Sequence, residues 1–301
     1  MENKSTGKIQ NLNGLAIWAI SFGGIIGWGS FLTPGTKFIP DAGPLGALLG
    51  ILAAGVFALI ICINYSHMVN LYPEAGGSYV YTKHILGEDH AFLVVWCLIL
   101  AYMSLLWANA SAFTLITRYL VGDIMKCGFH YTIAGYDIYF GEIFATIAVM
   151  TLAGLITAYH TRLANIIRTV SSVILFLTIC AIFIMVVSKN GLDISFTPAF
   201  STGESDIMQI FNVFVLSPWL FVGFETVTHT VRESIFSVNK IFIYAAIAIV
   251  LGMLSYMMLV VVGTSVSSGN YQNWYEYIMD TGSLSGVESI PVFKNIIDAL
   301  G

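Results

Sequence analysis

The sequence predicts an all-α, polytopic transmembrane protein, and three observations carry that prediction. Of 301 residues, 57% are hydrophobic and only 10% charged, with a mean hydropathy of +0.83. A soluble domain carries roughly 25% charged residues, so this chain could not cover a water-facing surface. The apolar residues fall into runs that reach the roughly 20 residues a spanning helix needs. Two of those runs, the first and the sixth, are interrupted in the middle by residues that break helices.

The same figures exclude other classes. A net charge of −5 leaves no basic face for a polyanion, so no nucleic-acid partner is expected. Cys62, Cys97, Cys127 and Cys180 show no paired spacing, and three of them lie in apolar runs. They read as buried small hydrophobes, not as a disulfide framework or a metal site. None of His67, His84, His90, His160 and His229 pairs with another histidine four residues on, so no metal is expected. No phosphate-binding Gly-x-x-x-x-Gly-Lys-Ser/Thr loop, Gly-x-Ser-x-Gly elbow or His-Glu-x-x-His motif occurs. Neither an enzyme nor a cofactor is implied.

Taken in order, residues 1–12 form a short polar tail with Lys4 and Lys8. Spans follow at 14–38, 43–70, 91–121, 140–159, 166–188, 207–233 and 240–264, and an eighth is expected to begin near Pro291. The long polar connections lie around 72–90 and 265–290. With the N-terminus inside, the inner segments hold seven cations: Lys4, Lys8, Lys83, Arg162, Arg168, Arg232 and Lys240. The outer segments hold four, namely Lys37, Arg118, Lys126 and Lys189. That excess favours a cytoplasmic N-terminal tail. Arg162 and Arg168 end a span on the inner side, where membrane-lipid headgroups are the expected contact.

Span one contains Gly23-Gly24-Ile25-Ile26-Gly27-Trp28-Gly29-Ser30-Phe31-Leu32-Thr33-Pro34. Each interior glycine costs a helix about 1 kcal/mol relative to alanine, and Pro34 removes a donor. Broken backbone at membrane depth is tolerated where it lines a cavity or is buried in protein. A break near Gly27–Gly29 would free N–H groups at the start of the second half-helix, which suit a carboxylate. Carbonyls ending the first half-helix would suit an ammonium, so one break can hold both ends of a zwitterion. The competing reading is close helix packing through small residues.

Span six contains Leu216-Ser217-Pro218-Trp219-Leu220-Phe221-Val222-Gly223-Phe224-Glu225. An ionisable group near the bilayer centre is costly and is by default functional. Glu225 is read either as a proton carrier or as a brace for the gap in span one. Two interrupted spans at this separation are the pattern of a transporter built from inverted five-helix repeats. The chain then divides into a complete first repeat over 13–190 and an incomplete second repeat over 205–301.

At these residues the chain resembles the amino acid–polyamine–organocation superfamily of permeases. Gly23, Ile25, Gly27, Gly29 and Phe31 match its span-one signature, and Trp219, Phe221, Gly223, Phe224 and Glu225 match its span-six run. Pro73, Gly76, Gly77 and Tyr79 resemble the element after span two, and Phe92 and Trp96 the aromatic pair opening span three. The resemblance implies an alternating-access carrier for a small-molecule substrate, an amino acid or related amine, driven by a coupled proton or by exchange. By matching position, backbone at Ile25, Gly27, Gly29 and Ser30 would take the substrate's carboxylate and amine. Carbonyls around Trp219, Leu220 and Val222 would complete the ammonium site, with Trp28, Phe221 and Gly223 in the same set. Trp219 matches an aromatic that closes over substrate in relatives, and Tyr102 stands where relatives place a pocket tyrosine.

The chain also departs from the pattern. Trp28 replaces a small residue and would narrow the pocket or point into protein. After span six only Glu233 matches the family's Asn-Pro and basic element, and span five carries no buried lysine. Relatives have about twelve spans, so a truncated permease that does not transport by itself is expected. The alternatives outside this class are a polytopic receptor or a channel without carrier activity. 

Overall fold

The computed structural model describes residues 12–72, 74, 76–133, 136–190, 196–201, 203–233, 236–265, 271–284 and 286–300. The expected N-terminal tail lies outside the described residues except for Leu12. So do Pro73 and Ala75 after the second span, and Ser234 and Ile235 after the sixth.

Helix α1 (Gly14–Ile25) opens at Asn13, whose side-chain oxygen accepts the Ala16 N–H at 2.8 Å, a standard way of satisfying an orphan donor. It ends at Ile26 and Gly27, both extended, and α2 (Trp28–Thr33) follows. Pro34 supplies no N–H, and the backbone there widens into a π turn, Pro34–Phe38, that runs into α3 (Ile39–Leu71). The connection expected between the first two spans is therefore not a loop. It is a kink inside α3 at Gly43, where φ is +65° and a Cβ would stand 2.6 Å from Phe200 Cα.

By length and composition, six helical runs among the described residues can cross a membrane: Gly29–Leu71, Glu88–Arg118, Phe140–Tyr159, Thr161–Lys189, Asp206–Val231 and Val238–Thr264. The sequence predicts seven spans because its first apolar run reads as one whole span. In the structure that span is divided between α1, too short to cross alone, and the head of the first long run. The protein is a multi-pass helical membrane protein.

The chain forms two compact units, one of Met1–Gly77 with Arg168–Gly301 and one of Ser78–Ile167. In the first unit α3 packs on α8 (Asp206–Phe214) and on α10 (Val238–Thr264), and α1 packs on α10 and on the 3-10 helix Phe224–Glu233. Ile17, Phe22, Ile51, Ile241, Ala245 and Ile249 have no exposed surface. Glycines let these helices approach, since apolar lipid removes most of the hydrophobic drive between them. A Cβ at Gly50 would meet the Val213 side chain and the Ile210 carbonyl, and one at Gly252 the Ile25 side chain. The same unit holds α9 (Ser217–Phe221), α11 (Trp274–Asp280), most of α7 (Thr161–Asn190) and α12 (Pro291–Leu300). Helix α12 starts at the residue expected for the eighth span. Asn295 anchors it by donating to the Val262 and Gly263 carbonyls at 2.8 and 3.2 Å.

The second unit holds α4 (Ser78–Leu86), α5 (Glu88–Val121), α6 (Phe140–Tyr159) and a two-stranded hairpin. Strands β1 (His130–Ile133) and β2 (Tyr136–Tyr139) pair antiparallel with His130 opposite Tyr139. The all-α expectation thus has one small exception, carried by two runs rich in β-branched and aromatic residues. Helices α4 and α11 likewise occupy stretches expected to be polar connections. Arg118 pairs bidentately with Glu142, whose side chain has no exposed surface, and also donates to the Asp137 carbonyl. This pair ties the end of α5 to the start of α6.

The cysteines correct the sequence reading. All four are free thiols, but only Cys62 is buried; Cys180 is half-buried, and Cys97 and Cys127 are exposed. Cys97 lies on α5, which keeps large apolar side chains such as Phe92, Trp96 and Trp107 on its outer surface. On a bilayer-length helix an apolar residue faces lipid as readily as protein, so an apolar run does not by itself mean burial.

Candidate functional site

The first break is held by a closed set of hydrogen bonds. The Ile26 N–H still donates to the Phe22 carbonyl at 2.9 Å, ending the α1 ladder. Across the gap, the Gly27 N–H donates to Ser30 Oγ at 3.2 Å and the Ser30 N–H to the Gly27 carbonyl at 3.1 Å. Ser30 Oγ donates to the Tyr256 hydroxyl at 2.9 Å, and that hydroxyl donates to the Ile25 carbonyl at 3.3 Å. A Cβ built on Gly29 meets nothing within 4 Å, so the α2 side of the gap faces open space there.

The second break lies where α9 meets the 3-10 helix. Val222 is extended in ψ and Gly223 has φ +108°, a conformation that only glycine adopts without strain. The Gly223 N–H donates to the Glu225 carboxylate at 2.7 Å, and the Gly223 carbonyl accepts from the Thr226 hydroxyl at 2.6 Å. Glu225 therefore braces its own break, at Gly223.

The second break touches the last turn of α1, just before the first break. A Cβ at Gly24 would stand 2.8 Å from the Gly223 carbonyl oxygen, and one at Gly223 would stand 2.7 Å from Gly24 Cα. Gly23, next along, faces Ser172 of α7, whose hydroxyl donates to the Ala19 carbonyl at 3.1 Å. The span-one glycines differ in what they meet. Gly23 and Gly24 permit close packing, while Gly27 sits in the gap and Gly29 borders it.

The remaining candidates are placed as follows. Ile25, Leu220 and Phe221 are buried, and Val222 is half-buried. The Phe221 and Tyr256 rings meet edge to face at 6.4 Å, so Tyr256 contacts residues at both breaks. Trp28 stacks on Phe293 of α12 at 5.4 Å, and Phe31 stacks on the same ring at 6.1 Å. Trp219 is about half exposed. Tyr102 lies on α5 in the other unit. A groove of about 540 Å³ between α3 and α10, lined in part by Cys62, Ser66, His67, Asn70 and Asn239, includes none of the predicted residues. Among the described residues no three His, Cys, Asp or Glu side chains gather as metal ligands.

Tyr256 carries no signal in the sequence, because an aromatic residue in a largely apolar run does not reveal the contact it makes across the fold. The Arg118–Glu142 pair is equally silent, since each residue lies near the end of its span.

Interrupted helices in contact at glycine, in a multi-pass membrane protein, define a transporter-like class built around discontinuous spans. Comparison with known proteins supplies the family: residues 12–279 match the amino acid permease family, and the chain belongs to it, within the amino acid–polyamine–organocation superfamily. Its family and relatives are permeases, not enzymes. It is similar to the branched-chain amino acid permease BcaP of Bacillus subtilis, 23% identical over 93% of this chain and 63% of that protein. It is also similar to cationic amino acid transporter 4, vacuolar, of Arabidopsis thaliana, 26% identical over 92% of this chain and 49% of that protein. An L-asparagine permease of Streptomyces coelicolor is 33% identical over 38% of this chain and 23% of its own length. The chain spans under two thirds of the length of each of these relatives.

Proposed function

We propose that this chain binds an amino acid or related amine at its two helix breaks, as part of a carrier that moves it across the cytoplasmic membrane by alternating access. The observation that supports this most is the contact of the second break, at Gly223, with Gly24 in the last turn before the first break, in a member of the amino acid permease family. The substrate's carboxylate goes to N–H groups at the start of α2, where Trp28 and Gly29 open the helix and orphan donors stand. Its ammonium goes to carbonyls at the end of α1, including Ile25, and around Trp219, Leu220 and Val222. Gly27 and Ser30 shape the gap, and Phe221 and Gly223 belong to the facing wall.

In this reading the N-terminus is cytoplasmic, and residues 13–190 and 205–301 correspond to a first and an incomplete second inverted repeat. Glu225 exchanges a proton with solvent during the cycle, or exchange with a second substrate drives it. The test is binding of radiolabelled L-leucine, L-asparagine and L-arginine to the purified protein in liposomes. Saturable binding that unlabelled amino acid competes away supports the site, and no saturable binding of any of the three contradicts it.

A further inference from the structure

We propose that Tyr256 is a positioning residue: its hydroxyl clasps the two halves of the first span and sets the geometry of the gap between them. The inference rests on the reading of that gap as the substrate site. Tyr256 lies on α10, outside both interrupted spans, and is buried. Its hydroxyl donates to the Ile25 carbonyl, the last residue of α1, and accepts from Ser30 of α2. Ser30 Oγ in turn accepts from the Gly27 N–H inside the gap.

The direction of this chain of bonds is dictated by its ends. The Gly27 N–H can only donate and the Ile25 carbonyl can only accept. Each hydroxyl between them takes one hydrogen bond and gives one, so the sequence runs one way, from Gly27 through Ser30 and Tyr256 to Ile25. Both ends are backbone groups flanking the gap, and the middle is a side chain from a third helix. The ring itself is fixed edge-on by Phe38 at 6.3 Å and by Phe221 at 6.4 Å. Phe221 belongs to α9, so the residue that clasps the first break also rests against the helix that leads into the second.

A carbonyl oxygen has two lone pairs. Tyr256 occupies one on Ile25 and leaves the other for a substrate ammonium, while fixing the direction in which the carbonyl points. Removing the hydroxyl leaves Ile25 and Ser30 each short of a partner and frees Ser30 to release Gly27. The gap then loses its fixed shape although the helices stay packed.

The test compares wild type with Tyr256→Phe, Ser30→Ala and the double variant by two measurements. Hydrogen exchange follows amides 26–30, with α3 and α8 of the same unit as the control for an intact fold. Equilibrium binding uses radiolabelled L-leucine, L-asparagine and L-arginine as probes and reports both Kd and the number of sites. Tyr256→Phe is expected to speed exchange at 26–30 by about tenfold, the scale of one or two lost buried hydrogen bonds. It is expected to raise Kd by a similar factor with the number of sites unchanged, whereas a merely structural loss lowers the number of sites at constant Kd. Ser30→Ala should do the same, and the double variant should be little worse than either, since all three break one chain of bonds. Unchanged exchange at 26–30 in Tyr256→Phe overturns the clasp, and faster exchange with unchanged Kd overturns the positioning role. If wild type binds none of the three probes while Tyr256→Phe still speeds exchange, the substrate reading of the gap fails and the clasp stands.

Discussion

Gly24 and Gly223 meet backbone against backbone, so that a side-chain carbon on either would be driven into the other's main chain at under 3 Å. Gly24 lies three residues before the gap in the first span, and Gly223 is the turning point of the sixth. A helix break that is merely tolerated has no reason to rest on a glycine of another span. Here each glycine is the room the other needs.

Alanine at either position should therefore be destabilising. Gly24→Ala is expected to cost about 1–3 kcal/mol through overpacking against immovable backbone. Gly223→Ala should cost more, because φ +108° adds strain of about 1–3 kcal/mol for a residue with a side chain. The double variant should cost less than the sum, since one contact is shared. Thermal unfolding in detergent checks all three, and additive or negligible losses would show that the contact does not form.

Glu225 accepts the Gly223 N–H and so braces the break of its own span, not the span-one gap it was expected to brace. Glutamine keeps an acceptor at that position and removes the charge. Glu225→Gln is expected to retain stability within about 1 kcal/mol and to flatten the pH dependence of substrate binding. Glu225→Leu should lose stability as well. A glutamine variant with the wild-type pH profile would leave Glu225 as a brace only.

The Arg118–Glu142 pair should be worth more to the second unit than a surface ion pair. Breaking a buried pair typically costs about 3–5 kcal/mol; Arg118 keeps 26% of its side chain exposed, which lowers the expectation for Glu142→Leu. We expect about 2–3 kcal/mol, seen as faster hydrogen exchange in the hairpin 130–139 and the first turn of α6. Exchange unchanged there would mean that the pair holds nothing in place.

Outside the spans, the Ser283 hydroxyl, then that of Tyr271, holds the Asp280 carboxyl below its ordinary range at the end of α11. A depressed folded-state value favours the charged form, so its contribution is present above the ordinary aspartate value near 4 and is lost as pH falls through the folded value. The turn 281–283 should consequently hold its exchange protection at neutral pH and loosen only in acid, below about pH 4. Loosening already at pH 6 would contradict that assignment.

Much of this architecture is legible in the sequence, and the gaps have physical causes. The long apolar runs, the helix starting at Pro291 and both interruptions follow from local rules about apolar length, glycine and proline. The kink at Gly43 does not, because whether glycine turns a helix depends on what it meets, here the Phe200 backbone. Trp28 could be read as a pocket filler or as a packing residue. Its stacking on Phe293, 265 residues later in the chain, is a tertiary fact invisible to local pattern. Tyr256 is the clearest case, since nothing in an apolar run separates an aromatic that packs from one that clasps.

The most direct test of the substrate reading is equilibrium binding to wild type and to Gly29→Val. A Cβ at Gly29 meets nothing within 4 Å, so the variant should fold with a thermal midpoint close to that of wild type. The account predicts saturable binding of at least one of L-leucine, L-asparagine and L-arginine to wild type, and its loss in Gly29→Val. Equal affinity in a folded Gly29→Val protein would show that the substrate binds elsewhere.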